Sequence, residues 1–381
     1  MTPQTEIQLI AVAAAAACAL SGTFLVLRRM AMIADAVSHA VLPGIVIAFL
    51  LGGGLGSPLL AFGAALSGVA TVALVEALQR TKLVKEDTAI GLVFPALFAF
   101  GVVLVSRYAD HVHLDVDAVL LGELAFAPFE RMIIAGRDVG PRALWIAGGA
   151  LVLNVAAVSV FFKELKLVTF DPALAAALGF SPLLLHYGLM TLVSATAVAS
   201  FDAVGLVLVV ALMVGPAAAA WLLTDRLAVL LPLAAGLGAT SAVAGYWLAR
   251  WFDASIAGAM AVCVGLVFLL VFSFAPRRGL LARRRMLATQ RREFAMTLLA
   301  VHLAQHEGTV DEADESRLAS LHLHLHWDED RLRRTVRDGL NRGWLRREDD
   351  RLLLEDAGRS AARTVFARAW PQGTGTTPHR I

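Results

Sequence analysis

An aspartate and a histidine four residues apart, Asp35 and His39, sit in a stretch that is otherwise mostly alanine, valine, isoleucine and leucine. On an α-helix such a pair shares one face, so a carboxylate and an imidazole can point into a single cavity. One hard oxygen and one borderline nitrogen suit divalent first-row ions such as Mn²⁺, Fe²⁺ or Zn²⁺ better than alkali ions or organic solutes. The alternative is a pair that only hydrogen-bonds neighbouring helices. An acid in an apolar span costs roughly 2.5–3.5 kcal/mol, which argues for a use. Pro43 lacks an N–H and leaves the His39 carbonyl without its helical donor, either as a further oxygen for a cation or as a packing kink.

The elements that must hold this pair are membrane spans. The chain has 381 residues, of which 58% are hydrophobic, and its mean hydropathy of +0.70 excludes an ordinary soluble domain. Arg28 and Arg29 mark a membrane face. At 1.5 Å per residue, Asp35 and His39 then lie roughly 10–16 Å inside, near the midplane of a core about 30 Å thick. Apolar windows predict about eight or nine spans, near Ile7–Leu27, Ile33–Leu51, Leu59–Leu78, Ala89–Val105, Leu144–Phe162, Leu183–Ala199, Val204–Leu223, Leu227–Leu248 and Ile256–Phe274. The fold class expected is an all-α polytopic membrane protein with a small α+β domain at its C-terminal end. Basic residues collect in alternate loops (Arg28, Arg29, Arg80, Lys82, Lys85, Lys163, Lys166, Arg226, Arg277 and Arg278), which puts the C-terminus in the cytoplasm of a multi-pass cell-membrane protein. Cys18 and Cys263 both lie in apolar runs, so neither a disulfide framework nor a thiolate metal site is supported. The N-terminus lacks the basic region of a cleaved signal peptide.

Several spans carry breaks of the kind that line a pathway. Pro95 frees the carbonyl of Gly91 and Pro216 that of Leu212, while Gly215 and the alanines after Pro216 permit close helix approach or ordinary small-residue packing. Glu76 and Arg80 form an i,i+4 tie at the end of one span, and Asn154 is expected to hydrogen-bond between helices. Between the fifth and sixth spans, Asp171 can cap a short helix that has Pro172 at its first position and Gly179 at its end.

Three motifs together resemble the permease subunits of manganese/zinc/iron ABC importers (the ABC-3 type). They are Arg28 through Asp35, Ser38, His39, Pro43 and Gly44; Phe170, Asp171, Pro172, Ala176, Leu178 and Gly179; and Val204, Gly205, Leu212 and Pro216. The likeness runs from about Ile7 to Phe274; it departs at Ala34, where many relatives have glycine. It implies a homo- or heterodimeric permease in which Asp35 and His39 of each copy coordinate the transported Mn, Zn or Fe. Ser38, Pro43, Gly44 and Pro216 would shape the pathway, and no metal would be bound permanently. The 171–179 helix would seat on a separate cytoplasmic ATP-binding subunit, and an extracellular metal-binding solute receptor would dock on the outer loops. This chain has no Gly-x-x-x-x-Gly-Lys-Ser/Thr phosphate loop, so ATP hydrolysis is expected elsewhere and the chain is expected not to be an enzyme.

In the outer loop His111, His113 and Asp115 alternate with apolar residues, either as an entry funnel for cations or as a solvated segment. After Pro276 the character changes. Residues 276–293 form a basic juxtamembrane linker whose arginines suit anionic membrane lipid, at about 1 kcal/mol each near the surface. Residues 294–381 read as helices near Phe294–Gln305, Asp314–Leu321 and Asp328–Asn341, a short hairpin, a last helix and a disordered end. That order resembles the winged-helix domain of metal-dependent (iron/manganese) repressors, with Leu340, Gly343, Trp344, Leu345, Leu352, Leu354, Ala357 and Gly358 carrying the likeness. Arg331, Arg333, Arg334 and Arg337 would be phosphate contacts if the tail bound DNA, but its balanced charge is a poor footprint for nucleic acid and favours a regulatory or partner-docking module. His322, His324 and His326 fit no strong ligand template. The function expected is transport of a divalent metal, manganese first, by the permease subunit of an ATP-driven importer. Its rivals are an ion-coupled secondary metal transporter and a membrane-tethered metal sensor.

Overall fold

The computed structural model of the chain describes residues 2–52, 58–108, 124–134 and 137–369, and these fall into two compact units, 1–280 and 281–381. The first contains α1 (Pro3–Leu27), α2 (Ala31–Leu50), α3 (Pro58–Arg80), α4 (Glu86–Tyr108), the strands β1 (Arg131–Ile134) and β2 (Arg137–Pro141), and α5 (Arg142–Val160). It continues with α6 (Phe162–Phe170), α7 (Pro172–Ala177), α8 (Pro182–Val204), α9 (Leu206–Leu223), α10 (Leu227–Phe252) and α11 (Ile256–Phe274). Among the described residues, 9 helices are long and apolar enough to cross a membrane, and they match the predicted windows within a few residues at most ends.

The most enclosed helix is α1, 78% buried over its span where α4, α5 and α11 are each 22% buried. Its Ala11, Ala14, Ala15, Ala17 and Ala19 are fully covered. Such small side chains let α9 and α10 approach closely where lipid supplies no hydrophobic drive between helices. α2 packs between α3, α4, α8 and α9. Its crossing with α3 runs backbone to backbone: a Cβ at Gly44 would stand 2.1 Å from the Gly63 carbonyl oxygen. Asn154 links α5 to α8, donating at 2.7 Å to Thr196 Oγ1, as the sequence led us to expect.

An all-α reading of the membrane unit misses two features. Residues 131–141 form an antiparallel ribbon, with Arg131 bonded to Asp138 and 3.4 Å from the buried Glu6 at the start of α1. After Phe161 the fifth span gives way to the amphipathic helix α6 before the capped helix α7.

The second unit holds α12 (Leu280–His306), α13 (Glu312–Glu315), α14 (Leu318–His324), α15 (Glu329–Asn341), the antiparallel pair β3 (Leu345–Glu348) and β4 (Arg351–Leu354), and α16 (Asp356–Ala369). Leu299, Leu303, Leu321, Trp327, Leu332 and Leu352 form its core. The arginine-rich stretch after Leu280 is the first half of α12, so the helix predicted to begin at Phe294 starts at Leu280, roughly four turns earlier. The helix predicted over Asp314–Leu321 is split: Arg317 is extended and bridges to Arg351 beside β4, which interrupts the helical run.

Candidate metal centre

Asp35 and His39 stand on one flank of α2, with His39 Nε2 3.5 Å from Asp35 Oδ1. Their surroundings differ. The His39 ring packs against Phe94 and Phe98 of α4, at centroid distances of 5.2 and 6.1 Å. Asp35 opens onto a shallow apolar groove with Val210, Val214 and Gly215 of α9 and Val264 and Phe268 of α11. Half of the Asp35 side chain (50%) and 28% of His39 are uncovered by this single chain. The two ligand-capable groups are thus aimed outward, across a face on which one copy supplies one oxygen and one nitrogen.

The other residues singled out around the pair act on the shape of α2. Ser38 is buried and donates at 2.8 Å to the carbonyl of Ala34, a back-bond that bends helices. Pro43 lies inside α2 and packs against Gly101 of α4. Next to the proline-freed position, Ser67 of α3 donates at 2.5 Å to the Ala40 carbonyl. Gly44 makes the α2–α3 crossing described above, and Pro216 is buried inside α9, one residue from the groove-lining Gly215. His111, His113 and Asp115 lie outside the described residues.

α7 is formed as predicted. Asp171 accepts from the backbone N–H of Leu174 at 2.9 Å, Pro172 takes the first helical position, and Gly179 follows the helix at φ +88°, a conformation that disfavours any side chain. Phe170, Leu174 and Leu178, four residues apart, are all exposed, as are Pro172 and Ala176. Phe170 ends α6, Leu174 lies within α7 and Leu178 follows it, so these exposed apolar side chains run across α7 and both of its ends.

A network that no sequence spacing announced ties the end of α6, just before α7, to the bundle. Glu76 of α3 pairs with Arg80 at 3.5 Å, but it also takes His186 Nε2 at 2.7 Å and the Tyr187 hydroxyl at 2.8 Å, both from α8. Arg28 then bonds His186 Nδ1 at 3.1 Å and Thr169 Oγ1 at 3.3 Å, next to Phe170. Burial pulls the Arg28 guanidinium below the ordinary arginine range. The residue read as a membrane-face flank is therefore turned inward. His186 and Glu76 lie 110 residues apart, and no spacing in the sequence joins them.

In the second unit Arg331, Arg333 and Arg334 of α15 are engaged locally. Arg333 pairs with Asp330 at 2.9 Å, Arg334 donates to the Asp330 carbonyl, and Arg331 lies over the Trp327 ring at 4.6 Å.

A family model described as the ABC 3 transport family matches residues 5–275. The chain is 47% identical to the zinc transport system membrane protein TroD of Treponema pallidum (strain Nichols) over 357 residues, covering 94% of this chain and 97% of that protein. It is 51% identical to the manganese transport system membrane protein MntD of Bacillus subtilis (strain 168) over 267 residues, 70% of this chain and 90% of that one. Among solved structures it is similar to PsaBC from Streptococcus pneumoniae in complex with Fab, with a TM-score of 0.61 at 26% identity, covering 73% of this chain and 94% of that one.

Proposed function

The chain belongs to the ABC 3 transport family, and from that premise we propose that it is the membrane permease subunit of an ATP-driven importer of divalent metal ions, manganese or zinc, with iron next. The observation that carries the reading is the Asp35–His39 pair in the first half of an apolar helix, with 50% of the Asp35 side chain and 28% of His39 uncovered by this chain. A carboxylate does not face acyl chains at that depth. A second permease copy set against this flank of α2 covers it and brings a second carboxylate and a second imidazole. Two oxygens and two nitrogens around one axis make a site for a doubly charged first-row ion, with the metal as cargo and not as a resident cofactor.

The exposed stripe of Phe170, Leu174 and Leu178 in and beside α7 is the seat for a cytoplasmic ATP-binding subunit, and the Arg28–His186–Glu76 network, which meets the end of α6 at Thr169, carries its movement to α3, α8 and the end of α1. Loops on the opposite face receive an extracellular metal-binding receptor. Residues 281–381 form a cytoplasmic winged-helix-like module, with α14 and α15 as its helix pair and β3–β4 as its wing. The arginines at the start of α12 suit anionic lipid. The test is metal uptake in cells that lack their other importers. Uptake must require both this chain and its ATP-binding partner and must survive collapse of the proton gradient. Uptake that persists without the ATPase and stops when the gradient is collapsed overturns the reading in favour of a secondary carrier.

A further inference from the structure

The second unit brings together four side chains that the transport reading leaves unused. His302 and His306 are one turn apart at the end of α12, with ring centroids 4.9 Å apart. Glu315 closes α13, and His324 closes α14. One ligand atom from each of His302, His306 and Glu315 falls within 4.8 Å of the other two. Glu315 Oε2 stands 3.2 Å from His302 Nε2 and 2.9 Å from His324 Nδ1. His302 Nε2 and Glu315 Oε2 are closed off from solvent, and neither has a hydrogen bond of acceptable angle. A tetrahedral ion with bonds of about 2.0–2.1 Å holds its ligands roughly 3.4 Å apart. Two of the contacts are near that spacing, while His306 lies within 4.8 Å of His302 and Glu315 and the His302 and His324 ring centroids are 6.4 Å apart.

The frame that presents these groups is fixed from outside the cluster. Glu307 pairs with Arg359 of α16 at 2.7 Å and holds the end of α12. The Ser316 carbonyl accepts from Leu352 at 2.9 Å, and Leu318 donates to the Asp350 carbonyl at 2.8 Å, which pins the segment after Glu315 against the hairpin. Glu315 Oε2 stands against both His302 and His324, and one carboxylate does not neutralise two charged rings. As neutral rings they direct lone pairs at a common point. Burial, followed by the neighbouring His306, pulls His302 below the ordinary imidazole range and keeps it in that neutral form.

We infer that His302, His306, Glu315 and His324 form a binding site for a divalent transition-metal ion in the second unit, separate from Asp35 and His39. A set of three imidazoles and one carboxylate suits zinc ahead of manganese. An ion there links α12 to α13 and α14 and so fixes the arrangement of the helices that carry the module's core.

The test uses the full-length protein in detergent, stripped with a chelator and titrated with Zn²⁺, and with Co²⁺ as a coloured probe of ligand field. In an Asp35→Ala/His39→Ala background, one equivalent per chain and the visible Co²⁺ absorption of a nitrogen/oxygen site are expected. Adding His302→Ala/His306→Ala removes both. The single change His306→Gln, at the partly exposed end of α12, weakens Zn²⁺ binding at least ~10-fold with an unchanged circular dichroism spectrum, so a folding defect in the double variant does not leave the matter open. Stoichiometric binding that is unaffected by His306→Gln, or the absence of any bound equivalent in the Asp35→Ala/His39→Ala protein, overturns the assignment.

Discussion

Asp35 is placed where stability alone would not put it. It lies in α2 among alanine, valine and isoleucine, half uncovered on a flank with Val210, Val214 and Phe268, and its partner in this chain is an imidazole 3.5 Å away. A group kept for binding at the expense of folding shows a characteristic sign on neutralisation: activity is lost while stability holds or rises. Asp35→Asn keeps the size of the side chain and removes the charge. The metal-free variant is expected to melt at least as high as the parent in a thermal-shift assay, while uptake in cells falls to background. A drop in melting temperature with uptake retained would mean that the carboxylate serves the packing of α2 and not the ion. The i,i+4 spacing of Asp35 and His39 was legible in the sequence because helical periodicity alone places them on one face. That this face is the open one was not, since it depends on where α4, α9 and α11 pack.

At the scale of elements, α7 is the clearest case of local sequence dictating local structure. Asp171, Pro172 and Gly179 define its two ends through a cap, a fixed φ and a left-handed turn, all of which are readable without a fold. The stripe of Phe170, Leu174 and Leu178 in and beside it is exposed within the unit, and a partner surface is proposed to cover it. Leu174→Asp leaves the Asp171 cap intact and sets a charge in the centre of the stripe. The expected outcome is loss of co-purification with the ATP-binding subunit, with the permease itself still folded by circular dichroism. Undiminished co-purification would remove α7 from the interface. The nine spans were legible for a similarly local reason, the length of apolar chain needed to cross a bilayer. The ribbon at 131–141, the break at Arg317 and the Glu76–His186–Arg28 network were not. Each is made by residues distant in sequence, such as Glu6 with Arg131 or Arg317 with Arg351, and no window holds both partners.

At the scale of the molecule, the chain divides at 280/281 into a membrane unit with its own core and a smaller unit built on Leu299, Leu303, Leu321, Leu332 and Leu352. The family match ends at residue 275, while the likeness to TroD extends over 94% of the chain, so the second unit is an addition to the permease fold that at least one relative shares. A chain ending at Leu280 therefore keeps Asp35, His39 and α7. Metal uptake by this truncation is expected to remain, with its dependence on intracellular metal altered. Complete loss of uptake in a truncated protein that still reaches the membrane would make the second unit part of the transport machinery.

Two Asp35–His39 pairs, one from each permease copy, are proposed to form the checkpoint for the ion. The most direct test is ATP-dependent uptake of radioactive manganese and zinc into proteoliposomes holding the assembled importer, comparing the parent with Asp35→Asn/His39→Ala. Uptake of both metals is expected to fall to the level without ATP, while the variant still assembles with its ATP-binding partner. Uptake by the doubly substituted importer equal to that of the parent would contradict it.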